Sequence, residues 1–340
     1  MNEHRLAVGK LPLHVLRPLL EAAPVEDPDV VLGPGVGLDC AVVRHGEGYL
    51  VFKSDPITFA TDELGWYLVH VNCNDVATTG ATPRWLLVTL LLPEGETEAS
   101  MVEEVGEQIY EACRSLDIAV IGGHTEITHG LSRPLAVGTL VGQVSDEKLI
   151  TPEGARAGDR LLLTKGVPIE ATAIVARELS DSLKGALTEE QLNEAAHFLH
   201  EPGISVLRDA QVAVAAGRVT AMHDPTEGGL AAALWELAEA CRHGLKIDLD
   251  AVIIPALSQK ICHHLRINPM AAIASGALLL TVAAGDAPAI CSALEASGIK
   301  CAAIGEVLDE PPGVWIDTAQ GRRQLARPER DEIARLFEAA

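Results

Sequence analysis

Aromatic residues are scarce in this sequence. They make up only 3% of its 340 residues, although hydrophobic residues as a whole make up 48%. The hydrophobic cores must therefore be filled by Ala, Val, Leu and Ile, as in layered α/β structures, which argues against a small all-β module. A chain of this length also exceeds the size at which a single core usually stops growing, so we expect two domains.

Basic residues are also in short supply. Lys and Arg total 26 against 48 Asp and Glu, the formal net charge is −22, and no block of basic residues interrupts this acidity. Such a surface repels a nucleic-acid backbone and an anionic membrane, so we expect neither as a partner. Phosphate ligands stay possible, because a bridging Mg²⁺ or a helix N-terminus can supply a local positive field.

Paired cysteines and long apolar runs are missing as well. The seven cysteines never form a C-x-x-C pair, so the sequence suggests neither a zinc knuckle nor a disulfide framework. The mildly apolar stretch 271–285 contains Ser, Gly and Thr and is shorter than the ~20 apolar residues of a membrane span. The first residues do not resemble a signal peptide. We therefore expect a cytoplasmic protein.

Strand-like and helix-like patterns alternate in both halves of the chain. In the first half, a helical pattern over 62–79 is followed by the strongly apolar strand 85–92. Around residues 151–158 the sequence turns to Pro, Gly and charged residues before another apolar strand begins. We place a boundary there, which predicts two α/β domains at 1–150 and 151–340.

Three acidic residues of the first half stand at the ends of predicted elements. Asp39 follows a glycine-rich turn, Asp55 follows a predicted strand, and Asp75 lies near the end of a predicted helix. Carboxylates in such places can converge on Mg²⁺, which prefers oxygen ligands and bridges phosphates. Since Asp also favours turns and helix ends for local reasons, spacing alone leaves both interpretations open.

Two glycine-containing segments could hold phosphate. Gly122-Gly123-His124-Thr125 follows a predicted strand, and a turn there could bring backbone N–H groups close to a phosphate. The alternative is a tight turn with His124 exposed. In the segment 224–230, Thr226 could cap a helix whose first turn, at Gly228 and Gly229, has almost no side chains. Plain capping and close glycine packing explain that segment equally well.

Taken together and in order, these segments resemble the aminoimidazole ribonucleotide synthetase (PurM) superfamily from residue 11 to about residue 307, closest to its hydrogenase-maturation, HypE-like branch. The matching segments are the glycine-rich turn with Asp39, Ser54-Asp55, 74–83 and 122–125 in the first half, and 157–160, 224–230 and 275–277 in the second. The resemblance implies a two-domain PurM-like fold of the α/β (α+β) class. It also implies a homodimer formed through the mixed sheet of the N-terminal domains, with ATP near that seam.

The resemblance implies an ATP- and Mg²⁺-dependent site. Asp39, Asp55 and Asp75 would hold metal, while Lys53, Asp224 and Thr226 would act in catalysis. The residues implied in binding the nucleotide are Gly35, Gly37, Asn74, Gly122, Gly123, His124, Thr125, Lys165, Gly228 and Gly229. His124 replaces the Asp that many relatives carry, which leaves the number of metal ions open.

The resembling branch phosphorylates a carboxamide oxygen and dehydrates that group to a nitrile on a C-terminal cysteine. The last cysteine here is Cys301, so we expect a different acceptor, either a small molecule or a group carried by a protein. The chain would then be a phosphotransferase, dehydratase or ligase of the superfamily. One alternative is a kinase similar to thiamine-monophosphate kinase. Another is a nucleotide-binding assembly protein without turnover.

Overall fold

The structure is a computed structural model that describes residue 6 and residues 9–58, 62–318 and 321–339. Contacts divide the chain into two compact units. One unit comprises Val25–Gly33 and Asp39–Leu149, and the other comprises Pro34–Leu38, Ile150–Ala340 and the described residues of Met1–Pro24. The opening helix and part of the glycine-rich turn therefore belong with the second unit, whereas the sequence analysis placed them in the first.

In the described part of the chain the α-helices, in order, are α1 (Leu13–Glu21), α2 (Leu64–Thr78), α3 (Ala99–Ser115), α4 (Ile169–Glu178), α5 (Glu189–Ala196), α6 (Leu207–Ala216), α7 (Gly229–Cys241), α8 (Ala256–Leu265), α9 (Ala287–Ala296) and α10 (Glu332–Ala339). The strands are β1 (Val30–Leu32), β2 (Ala41–His45), β3 (Gly48–Ile57), β4 (Thr82–Pro93), β5 (Ala119–Thr128), β6 (Leu135–Ser145), β7 (Arg160–Thr164), β8 (Val219–His223), β9 (Gly244–Ile247), β10 (Leu279–Val282), β11 (Cys301–Leu308), β12 (Gly313–Thr318) and β13 (Gly321–Gln324). No helix among these residues combines the length and the apolar character that a membrane span needs.

The first unit is a six-stranded mixed sheet in the order β1-β2-β3-β6-β4-β5. Its neighbouring strands are antiparallel except β4 and β5, which are parallel. Helix α2 packs on β3 and β6, and nearly all of its residues are buried. Glycines on β6 allow this close approach, because a Cβ at Gly138 would stand 2.7 Å from the Asn72 side chain. The sheet and α2 together hold the polar residues of the predicted metal site.

The second unit is a seven-stranded sheet in the order β13-β12-β9-β11-β7-β10-β8. Its strands are antiparallel apart from the parallel pair β12 and β9. The core beneath α7 is aliphatic, with Leu161, Leu163, Leu234 and Leu279 fully buried. Both the predicted α/β class with a mixed N-terminal sheet and the expected aliphatic filling are confirmed.

The second unit contains a buried carboxylate with a raised pKa. Glu170, in the first turn of α4, is 5% exposed. Burial raises the pKa of this carboxyl to about 7, although the hydrogen bond from Ser275 acts in the opposite direction and Asp331 adds a smaller increase. The folded protein therefore favours the protonated form of Glu170.

We expect Glu170→Gln to stabilise the protein at alkaline pH. The folded-state pKa of Glu170 lies above its unfolded value, so its stabilising contribution is complete below about pH 4.5 and is lost as pH rises through about 7. The resulting difference is roughly 3 kcal/mol, which corresponds to several degrees in the melting temperature. Differential scanning calorimetry should show a higher midpoint for Glu170→Gln at pH 8 and nearly equal midpoints at pH 5.

The control is Glu190→Gln, which neutralises an exposed carboxylate on α5. Its midpoint should follow that of the unmodified protein at both pH values. Equal shifts for the two variants at pH 8 would show that net charge, and not the burial of Glu170, causes the effect.

Candidate functional site

Three side chains of the first unit meet where β3 faces α2. Lys53 and Asp55 alternate with Ser54 on β3, so they share one face of the strand, while Asp75 reaches them from the last turn of α2. The Lys53 ammonium lies 3.2 Å from Asp55 Oδ2 and 3.0 Å from Asp75 Oδ2. Asp55 lies within β3 rather than after it, because the strand extends to Ile57.

The charge of Lys53 is balanced by these carboxylates. Burial alone lowers the pKa of its ammonium, but Asp75 first, then Asp55 and Asp39, raise the pKa well above its ordinary range. Asp39 thus belongs to the same electrostatic cluster, although it precedes β2 in the chain. Lys53, predicted as a catalytic residue, thus pairs directly with Asp55 and Asp75, and the metal role of the three aspartates stays a prediction.

Asn72 fixes the geometry of this cluster and was missed by the sequence analysis. Its Oδ1 accepts the backbone N–H of Asp55 at 3.0 Å, and its Nδ2 donates to the carbonyl oxygen of Leu68 at 2.8 Å. The side chain is fully buried and ties β3 to α2. Its position three residues before Asp75, on the same helical face, was the available signal. Asn74, predicted to contact nucleotide, is also fully buried on α2.

This cluster has the donor set of a hard-cation site. Three carboxylates surround one ammonium, so the arrangement already stabilises positive charge at that point. Carboxylate oxygens are also the ligands that Mg²⁺ uses when it bridges phosphates. Asp55 keeps 34% of its side chain exposed, which leaves the cluster accessible to solvent. Asp55 and Asp75 therefore offer carboxylate oxygens suited to a magnesium ion, and Asp39 is the third predicted ligand.

The segment Gly122-Gly123-His124-Thr125 is not a turn. All four residues lie within β5, an exposed edge strand, with Gly123 opposite Val88 of β4. The glycines are required by strand packing: Gly123 has a φ of +148°, and a Cβ there would stand 1.8 Å from the carbonyl oxygen of Val88. The ring of His124 contacts Glu126 at 3.0 Å. The predicted phosphate-cradling turn was wrong, although the outer edge of this strand has no partner strand in the described chain.

The glycine-rich turn at 33–38 has a packing role. Gly37 has a φ of +75°, and a Cβ there would stand 2.8 Å from the carbonyl oxygen of Glu236 on α7. A Cβ at Gly35 would stand 2.5 Å from the Leu38 side chain. Gly37 is thus needed for close packing within the second unit, whereas the Leu38 side chain could move to admit a Cβ at Gly35; both glycines were predicted to contact nucleotide.

The segment 224–230 leads from β8 into α7. The prediction that Thr226 caps this helix is wrong, because the N-cap residue is Gly228 and no side chain of the cap donates or accepts there. The backbone N–H of Gly228 donates instead to Asp331 Oδ2 at 2.6 Å. Gly229, with a φ of +62°, would bring a Cβ to 2.5 Å from the carbonyl oxygen of Ala272. The start of α7 is therefore packed against backbone at Gly229 and hydrogen-bonded to a carboxylate at Gly228.

Asp331 is the anion at this helix start. Its Oδ1 accepts the N–H of Ile333 at 2.8 Å, so the same carboxylate also serves the beginning of α10. Burial raises the pKa of Asp331 to about 6, against the lowering effect of the N–H groups that it accepts. Gly228 and Gly229 were predicted to bind nucleotide. In the structure Gly228 donates to Asp331, and Gly229 packs against the backbone of Ala272.

Asp224 is buried beside a contact between a histidine and a glutamate. The ring of the preceding His223 contacts Glu236 Oε2 at 2.9 Å, which joins the end of β8 to α7. Burial raises the pKa of Glu236, but His223 and Lys10 outweigh it and bring this pKa to about 2. Glu236 therefore stays ionised at neutral pH and holds the strand end that carries Asp224.

Lys165 belongs to the interior of the second unit. Its ammonium donates to the carbonyl oxygens of Ser205 at 2.5 Å and Gly203 at 3.3 Å, and it pairs with Asp209 at 3.3 Å. Burial lowers the pKa of this lysine, and Asp209 partly restores it. These three partners use the three N–H donors of the ammonium, which leaves none for the predicted contact with phosphate.

Two protein-family models match this chain in tandem. The one described as AIR synthase related protein, N-terminal domain, matches residues 37–144, and the one described as AIR synthase related protein, C-terminal domain, matches residues 156–317. The first match contains the cluster of Lys53 and the three aspartates. The second contains the segment 224–230.

Curated proteins with similar sequences carry hydrogenase-related names. A putative hydrogenase expression/formation protein of Methanocaldococcus jannaschii is 29% identical over 317 residues, which cover 89% of this chain and 90% of that protein. The carbamoyl dehydratase HypE of Cupriavidus necator is 31% identical over 261 residues, which cover 75% of this chain and 70% of that protein.

Solved structures show the same fold at lower identity. The chain in a crystal structure of a HypE–HypF complex gives a TM-score of 0.74 at 18% identity, covering 92% of this chain and 99% of that one. A HypE structure in complex with ATP gives 0.70 at 21% identity, covering 91% and 92%. AaThiL complexed with AMPPCP and TMP gives 0.68 at 20% identity, covering 90% and 92%. The two domain matches and these relatives together place the chain in the AIR synthase related (PurM) superfamily, among its HypE-like members.

Proposed function

We propose that this chain is an ATP-dependent enzyme that phosphorylates an oxygen of an acceptor, either a small molecule or a group carried by another protein. The observation that carries the proposal is the convergence of Asp39, Asp55 and Asp75 around Lys53, within the AIR synthase N-terminal domain. Support comes from relatives named carbamoyl dehydratase and from a structural neighbour in complex with ATP. A neighbour in complex with HypF supports a protein-borne acceptor.

Each residue of the first unit has a distinct part in this proposal. Asp39, Asp55 and Asp75 would hold Mg²⁺, which when bound neutralises phosphate charge and orients the transferred group. Lys53 would place its ammonium against phosphate oxygens once the metal takes over the carboxylates. Asn72 would keep Asp55 in register with Asp75. Catalysis would consist mostly of positioning and charge neutralisation.

The other residues with proposed roles lie on β5 and, separately, in the second unit. Backbone groups on the outer edge of β5, at Gly122, Gly123 and Thr125, would face phosphate or a second subunit. Asp224 and Thr226 would face the acceptor, with Asp224 held in place by the pair of His223 and Glu236. An aspartate near an acceptor hydroxyl or amide can receive its proton during phosphoryl transfer.

The reaction products distinguish this proposal from its rival. A dehydratase-type reaction releases ADP and free phosphate in equal amounts, whereas a kinase releases ADP and keeps the phosphate on the acceptor. The similarity to AaThiL bound to AMPPCP and TMP makes thiamine monophosphate the kinase substrate to test. We expect acceptor-stimulated ADP release with equal free phosphate, measured by coupled ADP and phosphate assays. Phosphate incorporation into thiamine monophosphate would support the kinase instead.

We expect ATP to raise the melting temperature only in the presence of Mg²⁺. Three carboxylates near a triphosphate repel it unless a divalent cation intervenes. At a ligand concentration of about 100 times the dissociation constant the stabilisation is roughly 2.7 kcal/mol, which is several degrees. Differential scanning fluorimetry should show this shift with Mg²⁺ and little change with EDTA.

Asp55→Asn should reduce this shift strongly, and Asp75→Asn should abolish most of it. Asp75→Asn will also lower the baseline midpoint, because Lys53 is buried against Asp75 and loses its partner. Asp55 is the more exposed of the two, so its variant separates nucleotide binding from folding. Asp117→Asn, an exposed carboxylate that follows α3, is the control and should keep the full shift. If ATP with Mg²⁺ still raised the melting temperature fully in both Asp55→Asn and Asp75→Asn, these carboxylates would not belong to the nucleotide site.

We also propose a homodimer formed through β5. This strand is the edge of the first sheet, and it exposes Ile121 at 56% and Ile127 at 60%. An exposed apolar edge strand tends to pair with another chain, since its backbone groups lack ladder partners.

Sedimentation velocity should therefore show a dimer of about twice the chain mass of 35.9 kDa. The double variant Ile121→Glu/Ile127→Glu should shift it to a monomer, since like charges would meet across the seam. Val31→Glu, which alters an exposed apolar residue on the opposite edge strand β1, should remain dimeric. A monomeric unmodified protein, or equal dissociation of both variants, would refute pairing through β5.

A further inference from the structure

The second unit contains a cavity that adjoins the segment 224–230 through Ala231 and Asp331. It has a volume of about 550 Å³ and lies between the edge strand β13, the segment 326–331 and the beginnings of α7 and α10. Pockets that bind small molecules typically measure about 300–1,000 Å³, so this one has the volume of a metabolite site.

Guanidinium groups dominate the lining. Four arginines, Arg323, Arg327, Arg330 and Arg335, face this single cavity, in a chain whose net charge is −22. The same lining also contains three carboxylates, Glu329, Asp331 and Glu332. Asp331 accepts two backbone N–H groups and Glu332 pairs with Arg335 at 2.7 Å, which leaves only Glu329 facing solvent. Arg327, Arg330 and Arg335 each pair with a glutamate, which leaves Arg323 as the guanidinium of this lining that no carboxylate balances among the described residues.

Three of these arginines are held in place before any ligand binds. Arg327 pairs with Glu239 at 2.7 Å, Arg330 pairs with Glu338 at 2.6 Å, and Arg335 donates to the carbonyl oxygen of Arg266 at 2.9 Å. Fixed guanidinium groups lose little side-chain entropy on binding an anion, and each retains further N–H donors.

Two donors of the cavity have no acceptor among the residues that the structure describes. Arg323 forms no ion pair or side-chain hydrogen bond there, and the Nε atom of Arg330 is buried without a partner. Buried donors are normally satisfied, so a missing acceptor at Arg330 indicates a ligand that supplies one. Arg323 lies on β13 at the rim and adds an uncommitted fork of N–H groups.

We propose that this cavity is a binding site for a small organic polyanion with at least two carboxylate or phosphate groups. Such groups match the planar fork of a guanidinium in two parallel hydrogen bonds. One group would meet Arg323 and another would meet Arg330. The site lies wholly within the second unit and does not depend on the proposed chemistry of the first.

Isothermal titration calorimetry on the full chain tests this site with two probes, citrate for carboxylates and inorganic pyrophosphate for phosphates. The protein and buffer are freed of divalent cations on a chelating resin, with no soluble chelator present, because without a divalent cation the three aspartates of the first unit repel anions and cannot account for binding. We expect saturable binding of at least one probe with a dissociation constant of about 1 mM or tighter. The stronger probe identifies the anionic group that the site prefers.

The variant Arg323→Gln should weaken this binding about tenfold, as expected for a lost charge-assisted hydrogen bond. Arg322→Gln is a matched control: it removes the same charge from the adjacent position of β13, where Arg322 pairs with Glu310 at 2.7 Å and lies outside the cavity lining. Its affinity should stay within about twofold of the unmodified protein. Arg323→Lys, which keeps the charge but loses the fork, should fall between the two.

Absence of saturable heat with both probes up to about 10 mM would overturn the proposal. An equal loss in Arg322→Gln and Arg323→Gln would overturn it as well, because net charge and not the cavity would then explain binding. Circular dichroism establishes that each variant is folded. If Arg323→Gln fails to fold, the comparison of Arg323→Lys with Arg322→Gln decides the question.

Discussion

The first unit depends on one buried ammonium. Lys53 lies between Asp55 and Asp75, and Asp75 is almost completely buried. Without a cation at this point, three carboxylates would repel one another in a medium of low polarity, and α2 could not pack so closely on β3. The fully buried Asn72 completes the arrangement by fixing the backbone of Asp55 to α2. A site that already requires positive charge can exchange one cation for another, so the ammonium and a metal ion would share the same carboxylates.

In the second unit, partial positive charge at a helix start is balanced by a carboxylate. The start of α7 presents backbone N–H groups that attract an anion, and Asp331 supplies it from within the chain. The same carboxylate begins α10, so one side chain joins the C-terminal helix to the loop that carries Asp224 and Thr226. This helix start is therefore already satisfied by a carboxylate of the chain itself.

The sequence predicted what local patterns encode. The α/β class, the helix α2 and the strands β4 and β7 followed from hydrophobic periodicity, within a few residues at their ends. The role of the glycines was harder to predict, because a paired glycine reads equally well as a turn or as a strand that approaches its neighbour. Gly123 belongs to the second kind, and only the contact with Val88 reveals it.

Contacts between residues distant in sequence were beyond prediction. Asp331 and Gly228 are 103 residues apart, and nothing in either local pattern indicates their hydrogen bond. The strand β13 is short, polar and rich in arginine, so its sequence carries no alternation of apolar residues. The arginine cavity beside it was missed for that reason. Lys165 shows the converse error, in which a lysine next to a glycine suggested phosphate but is buried against Asp209.

Because the chain as a whole is strongly acidic, anions can bind only where positive charge is concentrated locally. A net charge of −22 repels anions in general. Phosphate and carboxylate ligands would therefore bind where side chains or a bound cation create local positive charge. In the proposed site of the first unit, the carboxylates would require a cation, so binding would depend on a metal. In the proposed site of the second unit, guanidinium groups would meet the anion directly and need no metal. Two anion-binding strategies in one acidic chain would therefore respond differently to a chelator, and that difference separates the two sites experimentally.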